Sequence, residues 1–418
     1  MALLTALGVD NFGSGLFLPL ALVYVTRVVG LPLGTAGALV SAGTLAGLAV
    51  PPAAGRLVDR VGPKPVVIAA QLLQALGAVT YLLARAGPAV LAAAVLLAAG
   101  QQAFYSSLVA LIGDAAGDGP HDRPFVIANM VRSACFGLGG LVVAGVLTAA
   151  GLVALRLAVA VDAATFVACA LLLALFVRLP RRAHRHPGRE LARPAVLADR
   201  LFVALIVLTG LVMLPGDFFL AGTPVYVLEV LHAPPWLPGT MLALETALIS
   251  VAGIAVLRAT GRLSRLSAMR LGAGLYVLSC AVGFSASLVP PGWRPAGLLL
   301  AAVVLAAASL VFTPRAIALA EAAAPSPARG RFLAAYQYAF TAAQVLAPAV
   351  VALYSAALWL PWLVVASSAA AASAGFRLLA SRVGRRLRSR PDGSRIGRGP
   401  NSAGRRTGPA ALSHTSRA

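Results

Sequence analysis

The chain has 418 residues, of which 60% are hydrophobic and 11% charged, with a formal net charge of +21. Soluble domains carry roughly 45–50% apolar and 25% charged residues, so a water-soluble globule is excluded for want of polar surface. Its three cysteines (Cys135, Cys169, Cys280) each stand alone in an apolar run, and its five histidines have no acidic or cysteine partner at ligand spacing. This pattern offers neither a disulfide framework nor a metal site, and no cofactor is expected.

Along the chain, uncharged stretches of 18 or more residues recur, each long enough for a bilayer core of about 30 Å. Twelve spans are predicted near 2–26, 33–54, 66–84, 89–112, 125–149, 155–177, 201–227, 237–257, 268–289, 296–319, 333–354 and 359–380. The first, opening "MALLTALGVDNF", lacks the basic region and cleavage site of a secretory signal and reads as a retained helix, although a start further upstream stays open. Pro and Gly occur inside the spans, as membrane bundles tolerate.

Between the second and third spans, the decapeptide "GRLVDRVGPK" (55–64) places Arg56, Asp59, Arg60 and Lys64, the chain's single lysine, in one interruption. Residues 178–200 form the longest polar break before the tail and carry seven arginines, dividing the spans six and six. Residues 382–418 hold ten arginines against Asp392 alone, with abundant Gly, Ser and Pro. That composition cannot bury a core and predicts disorder. A basic segment beside a membrane is drawn to anionic lipid, and the tail lacks the aromatics of a single-strand nucleic-acid platform.

The positive-inside rule gives the orientation. With the N-terminus cytoplasmic, 30 of the 34 basic residues fall on the cytoplasmic side and only Arg27, Arg85, Arg156 and Arg294 fall outside. Both termini and the central loop are therefore expected in the cytoplasm. A faint repeat supports two equivalent halves: "GRLVDR" at 55–60 returns as "GRLSRL" at 261–266, and Asp10 has Asp217 at nearly the same offset.

The decapeptide, at this place between the second and third of twelve spans, resembles the loop signature of the major facilitator superfamily. Gly55, Leu57, Asp59, Arg60, Gly62 and Lys64 sit at the signature's spacing, with Pro63 where the family more often has a basic residue. The second copy has no acid. The resemblance implies an all-α membrane protein of twelve helices in two six-helix pseudo-repeat bundles. These are 1–177 and 201–381, joined by a basic cytoplasmic loop at 178–200 and followed by an Arg-rich tail at 382–418. It also implies alternating access, with Gly55, Arg56, Asp59, Arg60, Gly62 and Lys64 forming a conformational lock across the halves. A solvated turn that merely anchors topology is the bland alternative.

An ionised side chain at mid-bilayer costs about 2.5–3.5 kcal/mol on insertion scales, so each acid inside a span asks for a role. Glu245, in the otherwise apolar "MLALETALIS", is the first candidate for a proton-coupling site, followed by Asp10 and Asp217. Interhelical packing is the competing use for all three. Asp162 is read as structural, near the outer end of its helix and satisfied by Arg156 or water. Asn11, Gln101, Gln102, Tyr105, Tyr336, Gln337 and Gln344 are candidates for a substrate cavity, or for ordinary interhelical hydrogen bonds.

The expectation is a transporter rather than an enzyme: a monomer moving a small, mostly apolar solute across a bacterial inner membrane by proton-coupled efflux. The preference for Arg over Lys, with abundant Ala, Gly and Pro, suits a high-GC bacterial genome. An uptake permease is the first alternative and a non-transporting scaffold or signalling protein the second. Two departures weigh on efflux. The fourth span lacks the arginine frequent in proton antiporters of the family, Arg132 in the fifth being the nearest substitute. "CFGLGGLVVAG" at 135–145 has the glycines of the drug-antiporter signature without its proline.

Overall fold

The computed structural model describes residues 1–116, 122–177, 196–325 and 329–388, and all regular structure among them is helical. In chain order the crossings of the first half are α1 (Ala2–Arg27), α2 (Leu33–Gly47 continued by Val50–Val61), α3 (Pro63–Leu83), α4 (Gly87–Ala116), α5 (Asp122–Ala150) and α6 (Leu152–Phe176). Those of the second are α7 (Arg200–Val230), α8 (Leu237–Ala259), α9 (Arg265–Ser285), α10 (Arg294–Ala323), α11 (Arg329–Ala352) and α12 (Leu360–Arg388). Among the described residues, eleven helices are long and apolar enough to cross a membrane, and α8 adds a shorter apolar run, Leu237–Gly253.

Local chemistry explains the breaks. Pro19 lacks the N–H needed to continue α1, which tightens into a 3-10 turn at Leu18–Leu20 before resuming. Pro51 and Pro52 open the second segment of α2, where a missing N–H costs nothing. Asp199 caps α7 by accepting from Phe202 N at 3.1 Å, and Ser264 caps α9 by accepting from Ser267 N at 3.2 Å. Gly62 has φ +85°, a backbone region that favours glycine, and turns the chain directly from α2 into α3.

Two sequence expectations change here. The decapeptide is not a loop: residues 55–61 are the last turns of α2, and only Gly62 is a turn. The tail read as disordered from 382 begins as helix, because α12 runs to Arg388. The rest of the tail, and nearly all of the central loop, lie outside the described residues.

The halves repeat one packing plan. In the first, α1 lies against α5 and α6, α3 against α4 and α6, and α2 against α4. In the second, α7 lies against α11 and α12, α9 against α10 and α12, and α8 against α10. Matching hydrogen bonds fix the register. Tyr24 Oη donates to the Tyr81 carbonyl at 3.1 Å, and Tyr226 Oη to the Gly283 carbonyl at 3.2 Å, each spanning 57 residues. Tyr24 and Tyr226 are 202 residues apart, as are Tyr81 and Gly283 and the starts of α3 and α9. The repeat therefore runs at 202, not at the 206 suggested by the two "GRL" stretches. Asp10 then corresponds to Val212 and Asp217 to Gly15, so the two aspartates are not equivalent.

Contacts between the halves gather toward one face, the far face, where α1 and α7 end. There α2 packs on α11 and α5 on α8 through residues without bulk. A methyl carbon added at Gly37 would lie 2.4 Å from the Pro348 carbonyl oxygen, and one at Gly239 would lie 2.1 Å from that of Gly140. Small residues let backbones meet this closely. Arg27, ending α1, crosses to α7: its Nε donates to Glu229 Oε1 at 2.5 Å and its Nη2 to the Leu228 carbonyl at 2.8 Å. Arg27 and Glu229 are themselves 202 residues apart, so this ion pair joins equivalent positions of the two halves.

Candidate functional site

Closure at the far face leaves the opposite, terminal half of the interface open. A cavity of about 950 Å³ lies there. Its walls come from the end of α2 (Pro51, Pro52, Gly55), the second half of α4 (Gln102, Tyr105, Ser106) and the start of α5 (Ala128, Arg132). The first two-thirds of α11 (Leu333, Gln337, Thr341, Gln344) completes them. A smaller cavity of about 120 Å³ lies deeper, where Asp217 of α7 faces Thr44 of α2, Gln101 of α4 and Gln344 of α11. Gln344 lines both. A chamber between two pseudo-equivalent bundles, at membrane depth, is where transporters of repeat architecture hold their solute.

The predicted cavity residues divide. Gln102, Tyr105, Gln337 and Gln344 line the larger chamber, and Gln101 the smaller. Tyr336 does not line it: its hydroxyl shares a hydrogen bond with Thr209 Oγ1 at 3.0 Å, and its ring meets Phe202 and Phe340 inside the second half. Asn11 is also interior, donating to the Leu7 carbonyl at 2.9 Å and to Asp10 Oδ2 at 3.0 Å.

The acids occupy three environments. Asp10 is buried in the first half, where Gln71 Nε2 donates to its Oδ1 at 2.9 Å. Asp162, only 2% exposed, is ten residues into α6, or about 15 Å at 1.5 Å per residue. It is thus a mid-membrane acid, not one near the helix end. Its Oδ1 has no hydrogen-bond partner among the described residues, and Arg156 is exposed rather than paired with it. Asp217 and Glu245 lie within electrostatic reach of each other in the second half, together with Tyr276. Neither Glu245 nor Asp10 is among the lining residues of the larger cavity.

In the signature, Gly55 reaches the cavity mouth, with nothing within 4 Å of an added methyl carbon. Lys64 caps α6, its Nζ donating to the carbonyls of Ala174 at 3.0 Å and Val177 at 2.7 Å. Arg56 and Arg60 sit on the exposed side of α2, while the side chain of Asp59 lies outside the described residues.

Arg132 was noted in the sequence only as a stand-in for a missing arginine. Among the described residues it is the one charged residue lining the larger cavity. Its Nη2 donates to Tyr105 Oη at 2.9 Å and its guanidinium carbon sits 5.0 Å from the Tyr105 ring centroid, a combined hydrogen bond and cation–π contact. Placing it needed the tertiary structure, since only folding brings α4 and α5 to one wall.

The fold and site now stand beside known proteins. A POT family transporter, solved in complex with 5-aminolevulinic acid, superposes with a TM-score of 0.73 at 13% identity, covering 92% of this chain and 96% of that one. The nucleoside transporter NupG, as a D323A mutant, gives 0.76 at 13% identity, covering 90% and 99%. A bacterial homologue of the iron transporter ferroportin, in an inward-facing state, gives 0.72 at 15% identity, covering 91% and 98%. These likenesses concern fold. A search of curated proteins finds no match. The model of the Major Facilitator Superfamily matches residues 3–299, well over half of the chain. With twelve helices in two repeated halves around a central cavity, the chain belongs to the Major Facilitator Superfamily, a family of transporters rather than enzymes.

Proposed function

We propose that this protein exports a small organic solute across a bacterial plasma membrane by alternating access, driven by the proton gradient. One observation carries the reading: a chamber of about 950 Å³ between the halves reaches the terminal face, while glycine-lined helix pairs and an ion pair close the far face. The terminal face is cytoplasmic in this proposal, from the arginine asymmetry along the sequence. The segment 55–64 biases the exchange between states at the cavity mouth, with Asp59 as its acid.

Proton coupling is assigned to the second half. Asp217 lines the smaller cavity and interacts with Glu245, so a proton on one changes the charge felt by the other. Asp10 is the further candidate. A carboxyl whose exposure alternates between faces can load a proton on one side and release it on the other.

In proteoliposomes with an imposed pH gradient, Glu245→Gln should keep solute binding and downhill exchange but lose gradient-driven accumulation by at least about tenfold. A full response in Glu245→Gln, Asp217→Asn and Asp10→Asn alike would overturn coupling through these acids. Accumulation toward the terminal face would instead make the protein an uptake permease.

A further inference from the structure

A charged side chain that lines a cavity between membrane helices marks a place for a ligand of opposite charge unless an ion pair or a full set of hydrogen bonds holds it. Arg132, the third residue of the Met130–Ala149 span, has only part of such a set. Its guanidinium carries five N–H donors in a fixed fork, yet it makes one hydrogen bond, to Tyr105, and no ion pair among the described residues. Its Nε is shielded from solvent and has no partner. Its field reaches Asp10 on α1, whose carboxylate accepts from Gln71 and Asn11 and makes no ion pair with it. Among the described residues, no acid lines the chamber that Arg132 faces.

We infer that the larger cavity binds organic anions, and that Arg132 is the residue that recognises the anionic group. This deepens the transport reading given above and rests on it. The Tyr105 contacts fix the guanidinium in the cavity wall, so little side-chain entropy is lost when a ligand arrives. A single guanidinium suits a carboxylate, which accepts two parallel N–H bonds, better than a phosphate dianion, which calls for more positive charge. Gln102, Gln337 and Gln344 offer neutral donors and acceptors around the same space. Pro51, Pro52, Leu108, Ile112, Leu333 and Phe340 supply apolar wall for the ligand's body. The class is therefore a small monocarboxylate with an apolar or aromatic body. An amine of the same shape would meet an uncompensated positive charge.

The test uses the purified full-length protein and three probes of one shape: 4-phenylbutyrate, 4-phenylbutanamide and 4-phenylbutylamine, titrated calorimetrically. The carboxylate should bind at least about tenfold more tightly than the amide, the usual scale for a charged hydrogen-bond pair, and the amine should not bind. Arg132→Gln should remove the carboxylate preference, and Arg132→Lys, which keeps the charge but not the fork, should retain part of it. Amide or amine binding as tight as carboxylate binding would overturn the inference. So would an unchanged preference in Arg132→Gln, or no carboxylate binding up to millimolar concentration. The three probes on the unaltered protein decide the matter even where Arg132→Gln fails to fold. Phosphatidylglycerol in nanodiscs forms the lipid arm; displacement of the carboxylate by this lipid and not by soluble carboxylates would reassign the site to a lipid headgroup. Carboxylate binding without flux in proteoliposomes would remove the transport reading and leave the anion site. Amine flux without carboxylate binding would do the reverse.

Discussion

Gly55 shows what a single position contributes. It sits within the helical end of α2, where glycine costs about 1 kcal/mol relative to alanine, and nothing in this conformation lies near enough to require it. Under the proposed alternating access its value lies in the other state, in which the cavity mouth would close and another helix approach. Gly55→Trp should therefore fold and bind solute from the terminal face, while transport falls at least about tenfold because closure is blocked. Wild-type flux in this variant, measured in proteoliposomes, would show that no helix approaches Gly55. Gly62 differs, since its φ of +85° makes it a requirement of the present fold. Arg132 and Asp162 make the opposite point: each was visible as a residue type, but which groups surround it depends on helices remote in sequence.

At the scale of elements, the meeting of α1 and α7 is the informative one. Arg27 and Glu229 are 39% and 28% exposed, so their pair adds little to stability, about 0–1 kcal/mol. In the proposed alternating access the pair would break as the far face opens, however, and a difference of that size still shifts a two-state population several-fold. Glu229→Gln should raise labelling of a cysteine placed on the far-face side of the cavity about two- to five-fold, with an almost unchanged melting temperature. Equal labelling would mean that the helix seams alone hold the face shut. The same elements expose a limit of sequence matching. The "GRL" stretches suggested a repeat of 206, whereas α2 passes into α3 through Gly62 alone and α8 reaches α9 through residues 260–264. A longer connection displaced the short match, and with it the apparent pairing of Asp10 and Asp217.

Across the whole molecule, the proposed alternating access requires the far-face seam between the two halves to open. A methyl carbon on Gly34 would lie 3.4 Å from Ser355 Oγ, a spacing compatible with a disulfide between α2 and the end of α11. Oxidised Gly34→Cys/Ser355→Cys should bind solute from the terminal face and transport none, and reduction should restore flux. Flux through the oxidised protein, with the disulfide confirmed by mass, would exclude opening at this seam.

The sequence alone determined the class of molecule. Apolar runs of membrane length, separated by arginines, leave the chain no stable place except a bilayer, and their count with the residue 55–64 signature carried the family. These are local properties, set by composition and spacing, and folding does not alter them. The tertiary structure decided which polar residues share a space. Helices of similar apolarity offer no strong stripe to say which face meets which neighbour, so Gln102, Gln337 and Gln344 could not be separated from Tyr336 or Asn11 beforehand. The same limit governed charge. The acids in the spans stood out as candidates for proton coupling, but packing buried Asp10 and Asp162 inside one half and placed Arg132 in the cavity wall. Which charge meets the solute depends on the rotation of each helix about its axis, and that is fixed by contacts between segments far apart in the chain.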